Sequence, residues 1–219
     1  MSIPDEMKDK PIASPHITIA MPVQEHMAPD LLTALTGLEK PNHFFITTDV
    51  IPLDEARNQL IAQFLVNHPR STHILFWDDD VIPPSDGLKK LWSHEKAIVS
   101  GLYFRKAVPY FPEMSMWDAP RKGFVPLLYW EHGGLYKVDG IGMGWCLIRR
   151  DVFQKMEYPW FKFGELGEDY TFCMSAKKLG YDIWVDTSVE CVHIADRVAI
   201  TKDHFKLYQE SELEKIREY

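Results

Sequence analysis

Three consecutive aspartates, Asp78, Asp79 and Asp80, directly follow the apolar run 73–77 in this chain of 219 residues. A strand that is buried on both faces has such a continuous apolar run, and acids at its carboxyl end lie where open α/β sheets bind ligands. Neighbouring carboxylates repel one another unless positive charge lies among them, and a divalent metal that prefers oxygen ligands supplies it. The triplet therefore predicts a metal and nucleotide site, with a solvated acidic turn as the alternative.

Two further groups of candidate residues lie in the C-terminal half of the chain. Glu168 and Asp169 begin a predicted helix, where acids can do acid–base chemistry or simply complement the helix dipole. His193 follows the last predicted strand, and a single histidine among apolar residues is also typical of a packed core. These residues therefore gain a chemical interpretation only from their order along the chain.

The elements that must position these residues alternate between strand and helix. Apolar runs predict strands at 17–21, 44–48, 73–77, 97–103, 145–148 and 183–185. Helical spacing predicts helices that start near residues 30, 54, 85, 151, 168 and 203. The first three strands and two helices form a β-α-β-α-β pattern, which predicts a mostly parallel α/β sheet with crossover helices. Residues 105–140 are rich in Pro, Gly and aromatics, so we predict an irregular functional segment there.

The composition is that of an ordinary globular protein, with 46% hydrophobic and 26% charged residues. A net charge of -8 without a basic stripe argues against a nucleic-acid surface. Three cysteines without a C-x-x-C motif predict buried thiols in a reducing compartment. Because the chain shows neither a signal-peptide pattern nor an apolar run long enough to span a membrane, we predict a cytoplasmic protein.

In this order and spacing, four segments carry a resemblance to a known family. The chain resembles the metal-dependent glycosyltransferases of the GT-A fold, especially small family 2-like members, over about residues 16–197. The segments are Ile74 to Asp80, Gly140 to Arg150, Gly167 to Cys173 and Val192-His193. The resemblance implies a Rossmann-like, mostly parallel central sheet with flanking helices. The polar, proline-containing start predicts a flexible lead-in at 1–15, and the lack of a linker or repeat predicts one domain at 16–219. The resemblance divides this domain into a nucleotide-binding half (16–104) and an acceptor-binding half (105–219).

The resemblance assigns a metal site to three residues. Asp80 is expected to ligate Mn²⁺ or Mg²⁺ directly, Asp78 to reach the metal, its waters or the sugar, and His193 to be the second protein ligand. The metal would bridge the two phosphates of the donor and neutralise charge on the departing nucleoside diphosphate. Asp79 is expected to face the ribose or the sugar.

The same resemblance assigns the chemistry of sugar transfer to the Glu-Asp helix. Asp169 matches the general base of inverting members, which takes a proton from the acceptor hydroxyl. Glu168 is expected to orient the acceptor, and Glu165 is a rival for the base because it lies close in sequence.

The remaining assignments concern the nucleotide, the donor sugar and the acceptor. Nucleotide contacts are expected from Pro22, Val23, Asp49, Arg57 and Arg197, although Arg57 also suits an exposed helix start and Arg197 a solvated surface. The backbone of Gly142, Met143 and Gly144 is expected to approach the donor sugar, or else to form a tight turn. Trp160 is favoured for the acceptor side, and Trp117, Tyr129 and Trp130 suit either a carbohydrate or a core.

These assignments predict an inverting enzyme that moves one sugar from a nucleotide-diphospho-sugar to an acceptor hydroxyl. UDP-sugar is the first expectation for the donor and GDP-sugar the second. A carbohydrate or another hydroxyl-bearing molecule is the expected acceptor. The alternatives are a retaining transferase, an inactive sugar-nucleotide binding protein and a nucleotidyltransferase. The absence of a Q-x-x-R-W motif favours single-sugar transfer over polymer synthesis. The sequence allows either a monomer or a homo-oligomer.

Overall fold

The computed structural model describes residues 16–23, 29–49, 52–195 and 198–217. Its strands are β1 (Ile17–Pro22), β2 (His43–Thr48), β3 (His73–Trp77), β4 (Val81–Ile82), β5 (Ile98–Leu102), β6 (Met114–Asp118), β7 (Gly123–Pro126), β8 (Leu135–Val138), β9 (Gly140–Ile141), β10 (Trp145–Arg149), β11 (Ile183–Glu190), β12 (Val192–Ala195) and β13 (Val198–Ile200). Its helices are α1 (Pro29–Gly37), α2 (Leu53–Asn67), α3 (Gly87–Ser93), α4 (Arg150–Lys155), α5 (Gly167–Lys178) and α6 (Lys202–Arg217).

A seven-stranded sheet in the order β2-β1-β3-β10-β5-β11-β8 forms the centre of the protein. Strands β1, β2 and β3 are parallel, with α1 and α2 as their connections, which confirms the predicted β-α-β-α-β unit. Strand β10 runs antiparallel to both β3 and β5, and β8 runs antiparallel to β11. Five of the seven strands therefore run in one direction, and the predicted mostly parallel α/β sheet is confirmed.

Strand β3 is buried on both faces, as its continuous apolar run predicts. Ile74 and Phe76 belong to the hydrophobic cluster on one side of the sheet, whereas Leu75 and Trp77 belong to the cluster on the other side. Side chains alternate between the two faces of a strand, so a strand that packs against a hydrophobic core on both faces is apolar at consecutive positions. The carboxyl end of β3, and with it the aspartate triplet, is thereby fixed at one edge of the sheet.

The segment 105–140 contains four short strands, so the prediction that it is irregular throughout was wrong. Strands β7, β6 and β9 form a small antiparallel sheet, and β8 extends the edge of the central sheet. These strands have only two to five residues and are separated by turns that contain glycine and proline, so their sequence has no sustained period.

A second small sheet, in the order β13-β12-β4, brings the end of the chain back to the aspartate triplet. His193 in β12 pairs with Val81 in β4, the residue that directly follows Asp80. The backbone N–H of Ile194 also donates to the carbonyl oxygen of Asp80 over 2.8 Å. Residues more than a hundred positions apart are therefore held side by side by backbone hydrogen bonds.

The three cysteines are free and buried, as predicted from their number and spacing. Within the described ranges, no helix is long and apolar enough to cross a membrane.

Gly101 in β5 offers a test of how tightly the central sheet packs. A Cβ atom there would lie 2.8 Å from the backbone oxygen of Val189 and 2.9 Å from the indole of Trp145. We expect Gly101→Ala to lower the free energy of unfolding by about 1–3 kcal/mol, measured by urea denaturation. Gly37→Ala is the matched control, because a Cβ there meets nothing within 4 Å. Equal stability of the two variants would contradict the close packing.

Candidate functional site

The aspartate triplet lies in a turn that is held by hydrogen bonds on both sides. The N–H of Asp78 donates to the carbonyl of Gly144 over 2.9 Å, and the N–H of Val81 donates back to the carbonyl of Asp78 over 3.1 Å. The buried indole N–H of Trp77 donates to the carbonyl of Val81 over 2.7 Å. The turn is therefore joined to the glycine segment before β10, and its carboxylates have defined positions.

Arg57, from α2, connects the triplet to the Glu-Asp helix. Its guanidinium donates two hydrogen bonds of 3.0 Å to the two carboxylate oxygens of Asp78. Its Nε lies 3.7 Å from Oδ1 of Asp169 and 3.9 Å from Oε1 of Glu168. The structure thus brings Asp78, Glu168 and Asp169 together around one cation. The side chain of Arg57 is only 1% exposed, so its contact with a nucleotide stays a prediction.

The rest of the Arg57 environment is apolar. The guanidinium carbon lies 5.3 Å from the ring centre of Phe76 and 5.8 Å from that of Phe161. Burial opposes the charge on Arg57, but the carboxylates of Asp78, Asp169 and Glu168 outweigh it and raise the pKa of the guanidinium. Arg57 is therefore a permanent positive charge at this position.

Asn58, the next residue of α2, fastens the segment that leads into α5. Its side-chain amide donates to the carbonyl of Phe161 over 2.8 Å and accepts the N–H of Phe161 over 3.0 Å. One buried amide thus makes both backbone hydrogen bonds of a residue 103 positions away. Consecutive residues of α2 therefore hold the carboxylates of α5 and the chain that precedes them.

Asp169 has one carboxylate oxygen in use and one without a partner. Oδ2 accepts the N–H of Met143 over 3.3 Å, whereas Oδ1 is buried and accepts no hydrogen bond. Burial raises the pKa of Asp169, and the neighbouring Glu168 and Asp78 raise it further, while Arg57 opposes the shift. The result is a carboxylate that is more basic than usual, with one oxygen that accepts no hydrogen bond although it lies 3.7 Å from Nε of Arg57.

Asp80 and His193 form a second group, and their hydrogen bonds fit a cation between them. Nδ1 of His193 lies 2.7 Å from the carbonyl of Phe104, which is an acceptor only, so Nδ1 carries the proton. In a neutral imidazole this leaves a lone pair on Nε2, which lies 3.3 Å from Oδ1 of Asp80. That oxygen is buried and accepts no hydrogen bond. Two lone pairs that face each other require a proton or a metal ion, and a carbonyl behind the histidine is the usual support of a metal ligand.

Asp80 is ionised and has a second basic neighbour. Burial opposes ionisation of Asp80, but His193 and Lys106 outweigh this effect and lower its pKa. Lys106 forms an ion pair with the other carboxylate oxygen, Oδ2. Sequence reasoning missed Lys106, because a lysine in a segment without a helical or strand period carries no signal of its own.

In the described part of the chain, no three His, Cys, Asp or Glu side chains are arranged to hold a metal. The structure offers Asp80 and His193, and a cation bound by two protein ligands takes its other ligands from water and substrate phosphates. Asp78 is engaged by Arg57 in this arrangement, so a direct role of Asp78 as a metal ligand stays a prediction.

Gly142, Met143 and Gly144 pack against a tyrosine that sequence reasoning missed. The hydroxyl of Tyr103 accepts the N–H of Gly144 over 2.8 Å, and a Cβ on Gly142 would lie 2.2 Å from that hydroxyl. The ring of Tyr103 also packs edge-on against His193, with ring centres 5.3 Å apart. The glycines therefore admit a buried tyrosine beside the Asp80–His193 pair, and their approach to a donor sugar stays a prediction.

A polar network next to Asp169 was also missed. The hydroxyl of Tyr170 accepts from Arg105 over 2.9 Å and lies 3.3 Å from Glu113, whose other oxygen accepts from Arg105 over 3.2 Å. Burial raises the pKa of Glu113, although Arg105 and His193 oppose the shift. Glu113 and Arg105 lie on either side of the turn that precedes β6, so only the folded chain brings them to α5.

The other predicted residues lie at several places. Pro22 ends β1, and the N–H of the following Val23 donates to the carbonyl of Thr48 over 2.8 Å. The exposed Asp49 follows Thr48 at the same edge. Asp79 is half-buried within the turn. The indole N–H of Trp160 donates to the carbonyl of Phe153 over 3.0 Å, so Trp160 is packed against the core. Arg197 lies outside the described residues.

Solved structures share this fold. A197 from STIV matches with a TM-score of 0.67 and 18% identity, covering 86% of this chain and 91% of that one. GalNAc-T7, solved with UDP, GalNAc and Mn²⁺, matches with a TM-score of 0.56 and 9% identity. The match covers 91% of this chain but only 48% of the GalNAc-T7 chain, so this protein spans about half of that neighbour.

Sequence comparison places the protein in no family. No protein-family model matches the chain, and no curated protein matches it in sequence. The structural neighbours, together with the sheet order and the crossovers, establish the GT-A fold, the fold of nucleotide-diphospho-sugar transferases. At identities this low, the comparisons establish the fold alone.

The raised pKa of Asp169 predicts a stability that depends on pH. The ordinary pKa of 3.8 applies to the unfolded chain, so above it the folded protein retains a proton that the unfolded chain has released. The free energy of unfolding therefore falls as the pH rises from about 3.8 towards the raised pKa. Asparagine does not titrate, so Asp169→Asn removes this pH-dependent fall in the free energy of unfolding. We expect the variant to exceed the unaltered protein in free energy of unfolding by more at pH 8 than at pH 5, measured by urea denaturation. A gain that shrinks between these pH values would contradict the shift.

Proposed function

We propose that the protein is a metal-dependent glycosyltransferase that moves one sugar from a nucleotide-diphospho-sugar to an acceptor hydroxyl. The observation that carries the proposal is the Asp80–His193 pair, in which an unpartnered carboxylate oxygen faces an imidazole nitrogen at 3.3 Å. The pair stands at the carboxyl end of β3, within a fold that GalNAc-T7 shares. The basic carboxylate of Asp169 lies 3.7 Å from Nε of Arg57, whose guanidinium also holds Asp78 of the same turn.

Asp80 and His193 would hold Mn²⁺ or Mg²⁺, and Asp78 would reach the ion or its waters. The metal would supply charge neutralisation for the diphosphate that leaves the sugar. Lys106 already lies against Asp80 and is half-exposed, so its ammonium group could move from the carboxylate to the diphosphate. Arg197 would add a second cation there.

Asp169 would be the general base of an inverting reaction. An oxygen of its partly exposed carboxylate would accept the proton of the acceptor hydroxyl as the hydroxyl oxygen attacks the anomeric carbon from the face opposite the diphosphate. Desolvation makes this oxygen a better proton acceptor, while Arg57 stabilises the ionised form that must be present before the reaction. Glu168, 3.9 Å from the same guanidinium, would orient the acceptor.

The donor would lie along the edge where β1, β2 and β3 end. Pro22, Val23 and Asp49 would contact the base, with UDP as the first expectation, and Asp79 would face the ribose or the sugar. The backbone of residues 142–144 would approach the sugar beside Tyr103. Arg57 would support the nucleotide through Asp78, and Trp160 would serve the acceptor side.

The metal site can be tested by binding, without a turnover assay. We expect Mn²⁺ together with UDP to raise the melting temperature of the protein, and we expect His193→Ala and Asp80→Asn to abolish this shift. Each variant removes one of two protein ligands, and a cation held by so few cannot spare either. His43→Ala is the matched control, because His43 is exposed on edge strand β2. A shift in both site variants equal to that of the control would overturn the metal site.

The base can be tested by turnover with a panel of UDP- and GDP-sugars. We expect Asp169→Asn to lower kcat by about 10²–10⁴-fold, the usual contribution of a general base, while the binding of the nucleotide is retained. Glu165→Gln is the matched control, because Glu165 is exposed and we expect it to keep its activity. An unaffected Asp169→Asn enzyme, or a product that NMR shows with retained anomeric configuration, would refute the inverting assignment.

A further inference from the structure

A cavity of about 390 Å³ lies beside α5, away from the aspartate triplet. Its lining comes from three elements: the β6–β7 hairpin, the residue between β8 and β9, and the C-terminal half of α5. The lining residues are Trp117, Phe124, Asp139, Met174, Lys177 and Lys178. Its size is that of a small-molecule site, and it combines an aromatic wall with a few charged groups.

The aromatic wall has a fixed orientation. Trp117 is 37% exposed and packs edge-on against Phe124, with ring centres 5.2 Å apart. Phe124 stacks on Tyr170, with ring centres 4.5 Å apart and planes inclined by 21°. Gly140 makes this stack possible, because a Cβ there would lie 2.4 Å from the ring of Tyr170. The indole is therefore presented to solvent by a packed support rather than by a flexible loop.

The polar groups of the cavity are also held in place. Asp139 accepts the backbone N–H of Trp117 over 2.8 Å and forms an ion pair with Lys177. Lys178 is exposed at the rim. The cavity thus offers an indole face with a carboxylate and an ammonium group beside it. An indole face takes the C–H face of a sugar ring, and charged groups at its edge take the sugar hydroxyls.

A series of packed side chains links the cavity to the proposed base. Tyr170 directly follows Asp169 on α5, Phe124 stacks on Tyr170, and Trp117 packs against Phe124. Lys177 lies eight residues beyond Asp169, about 12 Å along the helix axis. A single sugar at Asp169 does not extend over this distance, whereas a chain of sugars does.

We propose that this cavity is a distal acceptor subsite, which binds the inner sugars of an oligosaccharide whose terminal hydroxyl lies at Asp169. This inference rests on the proposed function, because it places an acceptor at Asp169. It names the acceptor class: a chain of sugars rather than a monosaccharide or a small alcohol. The indole of Trp117 is the stacking platform, and Asp139 and Lys178 bind hydroxyl groups of the stacked sugar.

The test compares linear hexasaccharides with the corresponding monosaccharides. Malto-, cello-, chito- and mannohexaose are titrated into the full chain, and binding is followed by saturation-transfer NMR and tryptophan fluorescence. We expect at least one hexasaccharide to bind more tightly than its monosaccharide. Trp117→Ala should weaken this binding about tenfold, the size of one aromatic stacking contact, and Trp117→Phe should restore much of it. Trp184→Ala is the matched control, because this half-buried tryptophan packs under Lys96 outside the cavity.

Nucleotide-sugar binding is measured in parallel by thermal shift. This measurement distinguishes a failure of the proposed sugar transfer from a failure of the proposed acceptor subsite. A hexasaccharide that loses affinity in Trp117→Ala but not in Trp184→Ala supports the subsite. If none of the four hexasaccharides binds better than its monosaccharide, or if the two tryptophan variants behave alike, the subsite is overturned even when nucleotide sugars bind. Hexasaccharide binding at Trp117 without any response to nucleotide sugars supports a carbohydrate site and overturns the proposed transfer reaction.

Discussion

The candidate site depends on one buried cation among three carboxylates. Arg57 is almost fully enclosed, yet it holds Asp78 by two hydrogen bonds and lies within 4 Å of both acids of α5. Removing one partner of a buried ion pair typically costs about 3–5 kcal/mol, because the other charge is left without compensation. Without Arg57, the end of β3 and the start of α5 would each present acids that repel the other. The guanidinium therefore permits an acidic turn and an acidic helix end to occupy one side of the sheet.

The two groups at the site use opposite electrostatic arrangements. Asp169 is made more basic by burial and by its acidic neighbours, whereas the pKa of Asp80 is lowered by His193 and Lys106. A carboxylate with a raised pKa, such as Asp169, is suited to accepting a proton. A carboxylate with a lowered pKa, such as Asp80, stays ionised and is suited to binding a cation. The turn 78–80 connects them, because Asp78 faces Arg57 while Asp80 faces β12. Both residues are aspartates, so the difference between proton acceptance and cation binding comes from their burial and from the charges of their neighbours.

The features that the sequence predicted are those encoded locally, by the spacing of apolar residues and by the residues that begin or end helices and strands. The apolar run of β3, the crossover helices and the acidic start of α5 are all continuous segments, and the folded chain contains each of them. The features it missed depend on contacts between distant segments. Tyr103 contacts Gly144 because β10 lies antiparallel between β3 and β5. Lys106 contacts Asp80 from a segment whose apolar residues have no regular spacing. The burial of Arg57 was equally hidden, since an arginine near the start of a helix is normally solvated.

The double hydrogen bond between Asn58 and the backbone of Phe161 also bears on how the site moves. It joins the approach to α5 to α2, and the neighbouring Arg57 joins α2 to the turn after β3. The three elements that carry Arg57, Asp78 and Asp169 are thus connected by side-chain hydrogen bonds and ion pairs that involve no ligand. None of these contacts uses a residue of the β6–β7 hairpin. Substitutions in the hairpin can therefore change the acceptor-facing surface without removing the contacts that hold the reacting groups.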